Sequence, residues 1–384
     1  MLLEKFAPRS NARTGYEHLV GQMDGAPKDG LFAAKIGFHT EMLLDAPPTL
    51  LVNIKKCSHE VSSLLLEADL RPLLLRFGSL PSNICRISLL SAKNRGTEIH
   101  ASAIAALQST SAFLNTDEDN VYFVHEGDGV CDTVLGGMKY RAGDFIFIPR
   151  HFHHRFRAEK KTSMVGIGSS SALRKPARKD GENMDVPYSN FSISLPDPNL
   201  RHKEGGGPWL LAVKRGGEYY RALYSCPTHC VAYKSTLYPF IVNVSQLNFS
   251  YTTSIHADPT NFCLFGTADD SVMISVLGAR FAHSPPYNHL NEWDEFLFYS
   301  KAYSARAGTI VPGDATLHPQ GIWHGPQIPA LMNWQKPEHP VWVDDLAIMF
   351  ESKEPLFLCE SAKNIFVPDY EKSWLRGWEE CKKE

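Results

Sequence analysis

The feature that most constrains this chain is a strand-and-turn unit that occurs twice. The first copy runs Asn120-Val121-Tyr122-Phe123-Val124-His125-Glu126-Gly127, followed by Gly143-Asp144-Phe145-Ile146-Phe147-Ile148-Pro149. The second runs from Glu295 to Tyr299, followed by Gly308-Thr309-Ile310-Val311-Pro312-Gly313. In each, a polar residue enters a short aromatic and β-branched run, a glycine follows, and a second apolar run ends at proline. Runs this short, bounded by Gly, Asp and Pro, are buried strands rather than helices. Val121–Val124, Phe145–Ile148, Phe296–Tyr299 and Ile310-Val311 are therefore expected as strands, with Pro312-Gly313-Asp314 as a turn. Helical periodicity is scarce. Its best case is Glu371–Glu380, where Trp374 and Trp378 stand four apart and would share one face of a docked C-terminal helix. With 384 residues, 43% of them hydrophobic, the chain can bury two cores.

The doubled unit resembles the cupin jelly-roll pattern, which predicts an all-β tandem cupin (bicupin) with a few helices. The expected division is 1–240 as an amino-terminal β-sandwich, a degenerate cupin without metal, and 241–384 as the cupin that carries the site. The region from about Arg174 to Gly207 is rich in Asn, Asp, Pro and Gly and reads as a long connection. A cupin's first motif supplies His-X-His and Glu. Here Asn120 takes the glutamate place, and Leu114–Glu118 holds no histidine. His151, His153 and His154 read as solvated loop residues, so the first unit is expected to be scaffold.

The second unit differs. His289 and Glu295 are six apart, so in one extended strand they would share a face, with Leu297 and Tyr299 continuing that wall. His324 would come from the return strand. Two imidazoles and one carboxylate are the donor set of a mononuclear non-haem Fe(II) site, which holds metal on one face and leaves the other open. That chemistry is oxidative.

At this point a family resemblance becomes specific. Ser254-Ile255-His256-Ala257-Asp258-Pro259-Thr260-Asn261-Phe262, Pro286-Tyr287-Asn288-His289, Glu295-Phe296, Pro312-Gly313, Leu317-His318, His324-Gly325-Pro326 and Met349-Phe350-Glu351-Ser352 resemble, in order, the pieces of homogentisate 1,2-dioxygenase. That resemblance implies Fe(II) on His289, Glu295 and His324. It implies His256 as the acid/base histidine, Tyr303 and His318, the latter beside the site, as further catalytic residues, and Tyr287, Tyr303, Arg306 and His318 as substrate contacts. It implies an aromatic acid and O₂ as reactants, and assembly as a homotrimer or hexamer. Leu290, Asn291, Trp293 and Asp294 depart from the family pattern. They motivate an alternative, a relative acting on a gentisate-like, hydroquinone or natural-product aromatic. A silent bicupin that binds a ligand or serves as scaffold is a third reading.

A net charge of −3 gives no basic field for nucleic acid. No stretch approaches the roughly 20 apolar residues of a membrane span, and the amino terminus lacks a secretory core. The eight cysteines (57, 85, 131, 226, 230, 263, 359, 381) follow no framework spacing, so free thiols in a cytoplasmic setting are expected. The sequons at Asn190, Asn243 and Asn248 are then inert. Cys226-Pro227-Thr228-His229-Cys230 lacks the second ligand pair of a structural zinc site. Gly136-Gly137 and Gly205-Gly206-Gly207 read as turns, and Gly127-Asp128-Gly129 as a hairpin turn.

Overall fold

The structure is a computed structural model. It describes residues 32–36, 40–44, 50–56, 71–80, 84–94, 96–175, 192–200, 208–225, 230–247, 263–282, 289–301, 303–306, 308–330 and 341–375. Three large antiparallel-rich sheets are stacked as layers. The middle one has eight strands, in the order Ile193–Ser194, Phe240–Asn243, Asp144–Ile148, Asp119–Glu126, Thr162–Ser169, Thr97–Ile104, Ile84–Ala92 and Leu356–Leu358. Both of its faces are buried. Asn120, Tyr122 and Val124 look toward a seven-stranded sheet that contains His154–Ala158, whereas Val121 and Phe123 look the other way. There they meet a second eight-stranded sheet built around Asp294–Tyr299. Phe123 and Phe298 come together edge to face, with centroids 6.2 Å apart.

The fold is all-β, as the pattern predicts, and the expected runs at 121–124, 145–148 and 296–299 all lie in strands. Outer strands are exchanged between the layers. Leu73–Arg76 and Leu173–Arg174 join the sheet of the second unit, and Leu356–Leu358 joins that of the first. The chain therefore cannot separate its two units without exposing strand edges.

Several local expectations are corrected. Ile310-Val311 is not a strand: Thr309 N–H bonds Arg306 O at 2.9 Å, Pro312 brings no donor, and Gly313 turns at φ +90° before the strand Asp314–His318 begins. Gly127-Asp128-Gly129 is a corner between two sheets, not a hairpin, because Asp119–Glu126 and Asp128–Thr133 belong to different layers. A Cβ at Gly127 would sit 2.5 Å from Lys161 O. The turn near Gly136-Gly137 falls at 134–135, and both glycines begin a strand. Within the supposed long connection, Ile193–Ser194 is a paired strand, and Gly137 and Asp197 exchange backbone hydrogen bonds of 3.0 and 2.8 Å. The C-terminal helix is not confirmed. Tyr370–Leu375 forms 3-10 turns, held by Trp374 packing on Tyr370 and on the second unit, while Trp378 lies outside the described residues.

Cys131, Cys230, Cys263 and Cys359 are buried, and among the described residues none forms a disulfide. Asn243 commits its amide to Asp144 at 2.6 Å; Asn190 and Asn248 lie outside the described residues, as do Cys226 and Gly205-Gly206-Gly207. Among the described residues no helix is long and apolar enough to cross a membrane.

Candidate metal centre

The second unit's site is assembled by strand register. Glu295 enters the strand Asp294–Tyr299 and stands opposite His318 on one neighbour and Glu351 on the other. Its same-face companions Leu297 and Tyr299 are buried, as their parity predicts. A separate two-stranded ribbon pairs His289 with His324 and Leu290 with Trp323. Period two does the sorting: His324 is buried, whereas Trp323 is 71% exposed. His289 and Glu295 do not share one strand, which corrects the sequence expectation. The chain bends at 291–293, where Asn291 O accepts from Gly321 N–H at 3.1 Å. Asp294 then locks the new strand by accepting from the backbones of Gln320 and Leu356, at 2.8 and 2.7 Å.

Glu295, His318 and His324 each offer a ligand atom, all within 4.8 Å of one another, and all three are buried. His318 Nδ1 lies 2.9 Å from Glu295 Oε1, and His324 Nε2 lies 3.6 Å from the same oxygen. The two imidazoles are stacked, 4.5 Å between centroids and 14° between planes. His324 Nδ1 is 3.0 Å from Ile322 O. A carbonyl can only accept, so the proton sits on Nδ1, and Nε2 directs its lone pair toward the carboxylate. Asn291 Nδ2 reaches both Glu295 Oε2 (3.2 Å) and His324 Nε2 (3.4 Å). Burial, with added pressure from His324 and Arg306, pushes the His318 pKa down to about 3 against the pull of Glu295, so the ring is neutral.

Arg306 and Tyr303 come from the loop after Tyr299. Arg306 is buried. Burial alone would lower its pKa, but the tyrosines at 299, 370 and 303, with Glu295, raise it above the ordinary value. Half-buried Tyr303 packs tilted against Tyr299, with ring centroids 5.3 Å apart, and burial raises its hydroxyl pKa. The structure thus brings together Glu295, His318, His324, Arg306 and Tyr303, with His289 at the register position facing His324. His256 and Tyr287 lie outside the described residues, as does the side chain of His289. Sequence reading missed two contributors. Trp374 stands edge-on to His318 at 6.1 Å; its aromatic spacing was visible, but it suggested a helix face. Asn291 stood out in the sequence only as a departure from the family pattern, not as a contact of the candidate ligands.

The corresponding place in the first unit is filled differently. Asn120, at the start of its strand, accepts from Arg86 Nη1 at 3.0 Å. Beside it Lys214 Nζ donates to Glu98 Oε2 and Glu118 Oε1, both at 2.6 Å, and Arg86 Nη2 lies 3.1 Å from Glu98. Burial would raise the Glu98 pKa, but Arg86 and Lys214 hold it well below the carboxylate range. Gly166 and Gly168 make the room: a Cβ at Gly166 would meet His100 at 2.6 Å, and one at Gly168 would meet Glu118 at 2.5 Å. His154 is buried, not solvated as expected, because the strand His154–Ala158 turns residues 154, 156 and 158 inward. It bonds Tyr122 at 2.9 Å, and burial drives its pKa to about 3. His151 is exposed in a left-handed turn, φ 70°.

With this geometry in view, the comparisons with known proteins are direct. Residues 239–383 match the family model described as homogentisate 1,2-dioxygenase C-terminal. A protein of Saccharolobus solfataricus named as a dioxygenase is 29% identical over 270 residues, covering 68% of this chain and 70% of the relative. Homogentisate 1,2-dioxygenase of Rhodopseudomonas palustris is 27% identical over 304 residues, covering 73% and 66%.

The carboxy-terminal part of the chain, residues 239–383, is thus similar to the homogentisate 1,2-dioxygenase family.

The chain spans 66% of the length of the Rhodopseudomonas palustris relative and of a second one, from Bradyrhizobium diazoefficiens. A solved cupin 2 conserved barrel domain protein from Leptotrichia buccalis aligns over 77% of this chain and 99% of its own, at 9% identity and TM-score 0.39.

Proposed function

We propose that this protein is an Fe(II)-dependent dioxygenase that opens the ring of homogentisate or a closely related para-hydroquinone acid. The observation that supports this most is the convergence of buried Glu295 and His324, with the His324 lone pair aimed at the carboxylate and His289 at the facing register position. One carboxylate and two neutral imidazoles suit Fe(II) and leave coordination positions open. Iron bound to His289, Glu295 and His324 would supply Lewis acidity and a one-electron redox couple.

The protein's own residues supply the rest. His318 holds Glu295 in place, and Asn291 steadies its other oxygen. His256, as the family resemblance implies, takes the phenolic proton as substrate binds; imidazole titrates near neutrality, and such transfers are worth about 10²–10⁴ in rate. Tyr303 keeps its proton and can donate to a ring oxygen, and Tyr287 lines the substrate. Both oxygen atoms of O₂ enter the product, so no external reductant is required. In this reading the metal belongs to the unit 241–384, the unit 1–240 is scaffold, and the protein works in the cytoplasm as a homotrimer or hexamer.

Asn291, placed against two candidate ligands, also favours a second reading: a gentisate-like, hydroquinone or natural-product aromatic as substrate. Oxygen uptake by the Fe(II)-loaded protein with a panel of hydroquinone acids tests both. Rapid uptake with homogentisate supports the first, uptake only with another member supports the second, and metal binding without uptake on any member removes the dioxygenase reading.

A further inference from the structure

Arg306 is 3% exposed, so its guanidinium acts inside the protein. Nη1 donates to Gly325 O at 2.8 Å, a carbonyl that also accepts Trp374 Nε1–H at 3.2 Å. The guanidinium carbon lies 5.5 Å from the Trp374 ring and 5.7 Å from the Tyr303 ring. Nη2 lies 3.4 Å from His318 Nε2. A guanidinium has five N–H donors and no acceptor. His318 Nε2 must therefore offer its lone pair, which puts the ring proton on Nδ1. That nitrogen faces Glu295 Oε1 at 2.9 Å. Every hydrogen bond in the line then points one way, from guanidinium to imidazole to carboxylate. The other tautomer would set N–H against N–H at one end and a lone pair against a carboxylate oxygen at the other.

We infer that Arg306 is a positioning residue that locks the Nδ1–H tautomer of His318, which in turn orients Glu295 for metal and keeps His318 out of the ligand set. The inference rests on the reading of Glu295 as a ligand. Through Gly325 O the same guanidinium also braces the backbone next to His324, so one side chain fixes two sides of the site. Its own loop is held ready. Ser304 makes two hydrogen bonds to Asp345, 2.9 Å from N–H and 2.8 Å from Oγ, and Gln327 N–H bonds Ala305 O at 3.1 Å. A fork for the substrate carboxylate is the competing role, and it would leave the His318 tautomer and metal affinity untouched.

Long-range ¹H–¹⁵N correlation spectra of the full chain, labelled with ¹⁵N-histidine and loaded with Zn(II), read the tautomer directly; His318→Gln assigns the signal. The expected result is Nδ1–H in wild type. Arg306→Met should lose that preference and weaken Zn(II) and Fe(II) binding by about 10–100-fold, the usual effect of removing an outer partner of a ligand. Arg306→Lys, which keeps a cationic donor, should recover most of both. An Nε2–H tautomer in wild type overturns the inference, and this readout stands even if Arg306→Met fails to fold. So does an Arg306→Met protein that binds metal normally and only raises KM for carboxylated over uncarboxylated hydroquinones. Wild type that binds no divalent metal removes the dioxygenase reading instead, and the spectrum of the metal-free protein still decides whether Arg306 locks His318.

Discussion

Asn120 and Glu295 hold matching places at the start of the central strand of their units, and the two surroundings have opposite electrostatic designs. Around Asn120, two buried carboxylates are neutralised from within by Lys214 and Arg86. Around Glu295, two imidazoles and an amide approach the carboxylate, Glu351 stands opposite on the neighbouring strand, and the guanidinium of Arg306 stands one histidine further away. An ammonium held between two carboxylates is a fixed internal cation. A carboxylate grouped with neutral imidazoles is a set of lone pairs that a divalent ion can use. The difference teaches that a shared strand pattern does not set the chemistry; the charge of the residues converging on it does.

That comparison can be broken in several ways. The largest effect is expected from Glu295→Gln or His324→Ala, which should lose metal and oxygen uptake by more than the about 10–100-fold of an outer-partner change. Asn120→Ala should leave metal stoichiometry intact. Metal analysis of the purified variants checks both, and equal metal in wild type and His324→Ala would erase the contrast. Next, Lys214→Met should strand Glu98 and Glu118 as buried charges. A destabilisation of about 3–5 kcal/mol is expected for breaking such a group, measured by urea unfolding, with the folded fraction still binding metal.

The acid limb sharpens the comparison further. His154 is buried neutral with its pKa driven to about 3, while in the unfolded chain it protonates near 6.5. Proton uptake then favours the unfolded state as pH falls from about 6.5 toward 3, and stability falls with it. The slope from this one group reaches about 1.4 kcal/mol per pH unit. Stability curves from pH 7 to 4 should lose that slope in His154→Phe; an unchanged slope would mean that His154 is not the group responsible. The smallest effect is expected from Asn291→Ala, which removes two long amide contacts. Metal affinity should fall by about 10-fold or less, readable by competition with a chelator.

Much of this was legible locally. Short apolar runs bounded by turn residues marked the strands at 121–124, 145–148 and 296–299, and parity alone placed Leu297 and Tyr299 on the wall that begins at Glu295. Where the reading failed, a backbone constraint outside the local pattern had won. Proline and a left-handed glycine kept 310–311 out of the sheet, the bend at 291–293 split His289 from Glu295, and a change of layer turned the glycines at 127–129 into a corner. His154 looked like a loop residue because its inward face is created by the strands packed over it.

The sequence by itself determined the all-β character and the strand in which Glu295 sits, and it marked the candidate donor groups, because these depend on residue type and a period of two. Only the tertiary structure decided that His318 would hold Glu295, that Arg306 would face inward, and that Lys214 would reach Glu98 and Glu118 across 116 and 96 residues of chain. Register and sheet stacking fix such meetings, and they arise from the packing of the whole chain rather than from any short stretch of it.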